Sequence, residues 1–259
     1  RAADECGVKF FIANDFFHDR ADGDKHLLDP AVIRMRLQSM EELVARYGHH
    51  TSFHGWYYPN ECCIRPRFED EYIQYVQTNS REARQLTPGK KVLIAPYGTR
   101  LLSADAEYVR QLANLDVDCI AYQDEVGVQK SRVDELEYFY EQLRFAHDQA
   151  GRSALWADVE IFEFEGEVYR SALLPAPFER VKSQLAAVSP YVDMTLVYQY
   201  QGMMNKPGSE AFAGHRLALR LREHGFRVNF TLMFEPYQAR LALQARPAFI
   251  NSFIRNRLA

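Results

Sequence analysis

Short apolar runs of strand length alternate with amphipathic runs of helix length along most of the chain, and no other feature limits the fold as strongly. Residues 8–13 form the first apolar run. A polar loop, 14–29, leads into a helix over 30–47, marked at its start by Asp29 as N-cap and Pro30 in the first turn. The same reading predicts strands over 51–58, 91–95, 117–122, 154–160 and 193–198, with helices over 69–85, 104–113, 133–150 and 177–188 between them. Residues 162–170 contain Glu-Gly-Glu and predict a small hairpin inserted after 154–160. A further helix is expected over 209–224, and 227–234 is apolar enough for one more strand.

Strands separated by helices pair in parallel, because a parallel pair needs a long crossover. Such units close into a barrel or spread into an open doubly wound sheet. No Gly-x-Gly-x-x-Gly turn follows the first strand, as a dinucleotide fold would require. Nearly every strand ends in polar, reactive residues, so a site would draw on many strands at once, as barrel sites do. The expected fold class is therefore α/β, a (β/α)8 barrel of the TIM type. It takes residues 1–259 as one domain, with 203–259 poorly assigned. Six or seven strands are visible, and Arg1 to Gly7 read as the last turn of a helix with Gly7 past its end. The barrel is thus expected either to have strands supplied upstream of Arg1 or to be closed by a late strand, for which 227–234 and its neighbours are the candidates.

Composition narrows the partners. The net charge is −4, which gives no reason to expect a nucleic acid. From His215 onward there are eight Arg, no Lys and two acids, a segment of +6 that reads as a solvated helix face and tail. Cys6, Cys62, Cys63 and Cys119 fit no zinc-site spacing and are expected as free thiols. No apolar run is long enough to span a membrane. Aromatic residues are plentiful, with 17 Phe, 15 Tyr and 2 Trp, and can serve as packing or as flat platforms with a polar edge.

Four strand ends carry the chemistry: Phe53 to Glu61 (FHGWYYPNE), Ile94 to Gly98 (IAPYG), Ile120 to Gly127 (IAYQDEVG) and Leu155 to Glu160 (LWADVE). Each passes from apolar strand to aromatic, amide or carboxylate residues. Glu61 and Glu160 stand out because their strands are three apart, which in an eight-stranded barrel sets them across the mouth from each other. Two facing carboxylates are what glycoside hydrolysis uses: one protonates the leaving oxygen, the other attacks the anomeric carbon or activates water. Around them Asn60, Tyr97, Tyr122, Trp156, Tyr198 and Asn14 are candidates for binding a sugar, and Asp15 ends the first strand beside Asn14. Asp124 and Glu125 are a second acidic candidate, of which at most one should face the site; Asp158 shares a strand face with Glu160. A metal-dependent barrel hydrolase is the rival. His18, His26, His49, His50 and His54 crowd the first quarter of the chain, but no later strand end carries a His, so no metal and no cofactor is expected.

The strings FHGWYYPNE, AYQDEVG and WADVE resemble those of a bacterial family of glycoside-hydrolase-like TIM-barrel domains long catalogued as a domain of unknown function. The resemblance covers roughly Gly7 to Gly202. It implies that 8–13 is the third barrel strand, that the partner is a saccharide, and that the setting is periplasmic or secreted. It also implies that Glu61, following Asn60, ends strand four as the acid/base and that Glu160 ends strand seven as the nucleophile, as in retaining barrel glycosidases. Pro59 before the Asn and the acidic pair Asp124-Glu125 depart from that pattern and leave the nucleophile open. The functional expectation is a glycosidase cleaving a bacterial polysaccharide or oligosaccharide. The alternative is a non-catalytic saccharide-binding barrel that assists polysaccharide export or uptake.

Overall fold

The computed structural model describes residues 1–15, 26–198 and 224, and the backbone of 229–233 and 249–253. The expected helix over 209–224 and most of the Arg-rich segment lie outside the described residues, as does His18.

The chain opens with α1 (Ala2–Glu5) and β1 (Lys9–Ala13), then runs α2 (Pro30–Tyr47), β2 (Phe53–Tyr58), α3 (Asp70–Leu86), β3 (Lys91–Ile94), α4 (Ala106–Asn114), β4 (Cys119–Gln123), α5 (Val133–Ala150) and β5 (Ala154–Glu160). A hairpin of β6 (Phe162–Phe164) and β7 (Leu173–Pro175) follows, then α6 (Phe178–Val188), β8 (Met194–Tyr198), β9 (Asn229–Met233) and β10 (Phe249–Phe253). Eight of the strands close into a barrel in the order β1-β10-β9-β8-β5-β4-β3-β2. β6 and β7 pair only with each other, and the return strand lies beyond the 162–170 segment that the sequence marked.

Closure comes from late strands, as expected, with 227–234 contributing and a later segment making the final pairing. The 227–234 segment supplies β9, which lies between β8 and β10. It is β10 that pairs with β1, Lys9 opposite Phe249 and Ala13 opposite Phe253, so β1 has a neighbour on each side. β9 and β10 thus fill the two wall positions that the resemblance assigned to upstream strands. Counted round the wall from β9, β2 is fourth and β5 seventh.

Side chains alternate across the wall, as strand geometry demands. Phe11, Ala13, Tyr57, Leu93, Ala95, Cys119, Ala121, Trp156 and Leu196 pack inside the barrel. Ile12, Trp56, Tyr58, Val92, Ile94, Ile120, Tyr122, Leu155, Ala157 and Val159 belong to the larger layer between sheet and helices. On α2, Asp29 caps as predicted, accepting from the N–H of Ala31 at 2.7 Å and Val32 at 3.2 Å. That helix buries Val32, Arg36, Met40 and Leu43 along one stripe, so a guanidinium sits on an otherwise apolar face.

At the end of the barrel where strands begin, aspartates latch one strand to the next. Asp118, just before β4, accepts the N–H of Val92 in β3 at 2.8 Å and is paired with Arg84 of α3 at 2.8 Å. Asp193, just before β8, accepts the N–H of Leu155 in β5 at 2.8 Å and faces Arg144 of α5 at 3.4 Å. Asp4 of α1 does the same for the entry to β2, accepting the N–H of Ser52 at 2.7 Å. Each latch satisfies a strand N–H with a charged acceptor, the stronger kind of hydrogen bond.

Candidate active site

The opposite end of the barrel, where strands finish, gathers carboxylates. Trp156 lies inside the barrel and meets the edge of Phe11 at 6.0 Å. Asp158 and Glu160, two and four residues further along β5, share that inner face at successively higher levels. Both are nearly closed to solvent, at 6% and 5% exposure. Across from them Tyr57 rises on the inner face of β2 and donates its hydroxyl to Glu61 Oε1 at 3.0 Å. Glu61 itself is half-buried. Tyr198, ending β8, sits in the field of all three carboxylates, and its phenol is pushed above its ordinary range first by burial and then by Glu61, Asp158 and Glu160.

Electrostatics separate these acids. Burial, then the charges of Glu61 and Asp124, lift the Asp158 carboxyl well above the usual range. Burial, then Asp124, lifts Glu160 in the same direction, against the N–H of Val128, which Glu160 Oε2 accepts at 2.8 Å. Like charges crowded into a site of low polarity cannot all ionise. Glycine at 127 is what lets the loop after β4 lie over Glu160: a Cβ there would stand 2.9 Å from Glu160 Cβ and 2.8 Å from the Phe162 carbonyl oxygen.

A second set of residues holds the site in place. Asp124 faces outward from β4 and accepts from the N–H of Glu160 at 3.1 Å, the N–H of Val126 at 3.2 Å and Gln184 of α6 at 2.6 Å. Arg180 of α6 donates to the carbonyl of Glu160 at 3.1 Å. At the end of β1, Asp15 accepts from the side chain of Asn60 and from the Tyr75 hydroxyl at 2.5 Å, and is paired with buried Arg36 at 3.2 Å. Asn60 is therefore held from behind, one residue before Glu61.

Several expected site residues lie elsewhere. Tyr122 is on the outer face of β4, fully buried, its hydroxyl between Tyr108 at 2.6 Å and His147 Nε2 at 2.9 Å, so it packs the helices and does not reach the mouth. Asn14 donates to the carbonyl of Arg36 at 2.9 Å and ties β1 to α2. Glu125 adopts a left-handed conformation, φ 54°, and accepts the N–H of Gly98 at 2.9 Å, bracing two rim loops. Tyr97 is half-buried at the rim, with Lys130 Nζ 5.3 Å from its ring centre. The structure thus brings together Glu61, Asp158, Glu160, Trp156 and Tyr198, with Asn60 beside them, and sets Tyr122, Asp124, Glu125 and Asn14 apart as supports. Sequence reasoning missed Arg36 and Gln184. Arg36 carried a signal, a charge on the apolar stripe of α2; Gln184 carried none.

His50 is bonded to Asp4 at 2.6 Å and stacks near His49, with ring centres 4.2 Å apart, at the strand-entry end. His54 lies among Lys9, Lys90 and Lys91 at that same end. Among the described residues no group of three or more His, Cys, Asp or Glu is arranged to hold a metal ion. All four cysteines are free. No described helix is long and apolar enough to cross a membrane.

The model of the DUF4434 family, described as a domain of unknown function, matches residues 1–211. No curated protein matches the chain. Among solved structures, a Bacteroides thetaiotaomicron protein provisionally described as an alpha-L-fucosidase is similar at a TM-score of 0.59 and 22% identity, over 75% of this chain and 63% of that one. This chain therefore spans less than two thirds of that protein's length. The beta-D-glucuronidase of Dictyoglomus thermophilum is similar at 0.53 and 16% identity, over 86% of this chain and 42% of that one. The N-acetylneuraminate lyase of Proteus mirabilis is similar at 0.51 and 13% identity, over 95% and 70%. Likenesses this distant show a shared barrel and leave the chemistry to the residues. The match over residues 1–211 is the stronger finding: the chain belongs to the DUF4434 family of domains of unknown function.

Proposed function

We propose that the chain is a glycoside hydrolase acting on a bacterial polysaccharide or oligosaccharide, with Glu61 and Glu160 as its working pair. The observation that carries this is the convergence of Glu61, Asp158 and Glu160 at the strand-finishing end of the barrel, above Trp156 and beside Tyr198. Barrel enzymes work at that end, and a pair of carboxyls in unlike surroundings is the means of glycoside hydrolysis.

Wall position favours Glu61 as acid/base and Glu160 as nucleophile, with retention of configuration. One observation favours the reverse order. Glu160 is buried and held toward its neutral form, which suits a proton donor, whereas Glu61 receives the Tyr57 hydroxyl, which suits an ionised carboxylate. Substrate binding brings its own groups into this field, so the two orders are separated by experiment.

The test is a screen of the protein against bacterial exopolysaccharides, reading new reducing ends and the anomeric form of the first product, with Glu61→Gln and Glu160→Gln as controls. Turnover lost in both variants supports the reading. Azide added to Ala variants on an activated aryl glycoside assigns the roles, since rescue gives opposite anomers at the two positions. Sugar binding that both variants retain, with no turnover by the parent, would leave a non-catalytic saccharide-binding barrel. A periplasmic or secreted setting belongs to the same proposal and is tested by fractionating the cells that make the protein.

A further inference from the structure

Two buried aspartates stand back to back across the β4–β5 wall, and they differ in one respect. Asp124, outside the wall, has a donor for each oxygen: two backbone N–H groups on Oδ1 and Gln184 on Oδ2. Asp158, inside the wall, has an Oδ1 that is shut off from solvent and has no hydrogen-bond partner among the described residues. A buried polar oxygen without a donor is costly and needs a reason. The strand cannot shift to relieve it, because the Asp158 carbonyl is tied to the Asp124 N–H at 3.0 Å, and its flank pairs with β8, Asp158 opposite Leu196. The flanking carboxylates each have a donor: Tyr57 on Glu61, and the Val128 N–H on Glu160. Below is the apolar face of Trp156.

We propose that Asp158 is the specificity-determining residue of this site, its carboxyl hydrogen-bonding a hydroxyl of the sugar ring that occupies the mouth. This rests on the saccharide reading above and deepens it. Burial and the charge of Glu61 keep the Asp158 carboxyl toward its neutral form. A neutral carboxyl both accepts and donates, and so matches a pair of neighbouring hydroxyls. The same surroundings disfavour an anionic group at that level, because a sugar carboxylate would face Glu61 and Glu160 with no cation beside it among the described residues. The ring read by Asp158 is therefore a neutral sugar.

The experiment measures binding of D-glucose, D-galactose, D-mannose, L-fucose and D-glucuronate to the whole chain by saturation-transfer NMR and titration, in the parent, Asp158→Asn and Asp158→Leu. At least one neutral sugar is expected to bind the parent and to bind more tightly than D-glucuronate. Asp158→Asn, which keeps a donor and an acceptor, is expected to stay within a few fold. Asp158→Leu is expected to lose about ten-fold or more, the effect of leaving a sugar hydroxyl unpaired. Asp158→Ser replaces Leu if Leu lowers the melting temperature. Binding equal in parent and Leu or Ser variant overturns the proposal, as does preference for glucuronate, or no binding of any of the five by the parent. The reducing-end screen is read separately. Polysaccharide cleavage with sugar binding indifferent to Asp158 sinks this inference alone, and Asp158-dependent binding without cleavage sinks the hydrolase alone.

Discussion

Asp124 stands on the outer face of β4, yet its Oδ1 accepts the backbone N–H of Glu160 at 3.1 Å, so a carboxylate outside the wall sets where one inside it stands. Asp124→Leu leaves the N–H groups of Glu160 and Val126 without their acceptor and takes from the Gln184 amide one of its two, and is expected to cost on the order of 3 kcal/mol in denaturant unfolding. Asp124→Asn keeps an acceptor oxygen and removes the charge that raises Glu160. The Glu160 limb of a pH–activity profile then moves to lower pH. An unmoved limb would show that the charge of Asp124 does not reach Glu160.

The raised carboxyls make a prediction about stability. Asp158 and Glu160 both lie above their unfolded values of 3.8 and 4.5. The folded state therefore holds their protons more tightly than the unfolded chain does. Their contribution is most favourable below the unfolded values and is lost as pH rises through the folded ones. Asp158→Asn and Glu160→Gln are expected to raise the melting temperature at neutral and mildly alkaline pH, by a few degrees each, and to flatten its decline with pH. Calorimetric melts across that range decide it, and a lowered melting point in both variants would contradict the assignment.

His147 works in the other direction. Its ring bridges the Tyr122 hydroxyl at 2.9 Å and the Ser153 carbonyl at 3.0 Å, and burial pushes it down to about 4 from 6.5. With the folded value depressed, its stabilisation is whole above the unfolded value and is lost as pH falls from there toward the folded one. The full loss is on the order of 3 kcal/mol. His147→Gln removes this step from the pH–stability curve. Tyr122→Phe breaks the Tyr108–Tyr122–His147 chain at about 1–2 kcal/mol and leaves turnover unchanged, since Tyr122 lies outside the wall.

Arg36 and Asp15 form a buried pair at 3.2 Å whose acid also holds Asn60. Arg36→Met strands the aspartate, and Asp15→Leu strands the guanidinium, so each alone is expected to cost about 3–5 kcal/mol. The double variant is expected to recover a large part of that, a coupling readable in a double-mutant cycle. Asp15→Ala tests the site itself: it is expected to lower turnover more than sugar binding, because it removes the acceptor that holds Asn60, the residue before Glu61. Additive single effects would mean the pair is not a unit.

Much of this was legible in sequence wherever a local rule governs. The Asp29-Pro30 start gave α2 its true bounds, and β5 fell where apolar runs predicted it. The shared parity of Asp158 and Glu160 placed two side chains on one face, and in the observed strand Trp156 lies on that face below them. Parity also separates Tyr122, in the outer layer, from Ala121 inside the barrel. Glu125 escaped because it lies past the end of β4 with positive φ, where alternation no longer applies. The Asp15 hub was out of reach for another reason: its partners Asn60 and Tyr75 lie 45 and 60 residues away along the chain. The closing strand β10 carries little signal, because its five residues FINSF place Asn and Ser in the middle of a short run.

The aspartate latches have a consequence for how this protein can change. Asp118 and Asp193 fasten β3 and β5 at the end of the barrel remote from the mouth, each with an arginine from a neighbouring helix. None of the groups proposed for sugar chemistry takes part in them. A library that varies rim positions such as Tyr97, Lys130 and Tyr198 therefore begins from a scaffold whose fastenings it does not touch, and many members should fold. One that varies Asp118, Asp193, Arg84 or Arg144 should yield mostly insoluble chains with no new activity. The protein's room for acquiring a different sugar lies at one end, and its tolerance for error is lowest at the other.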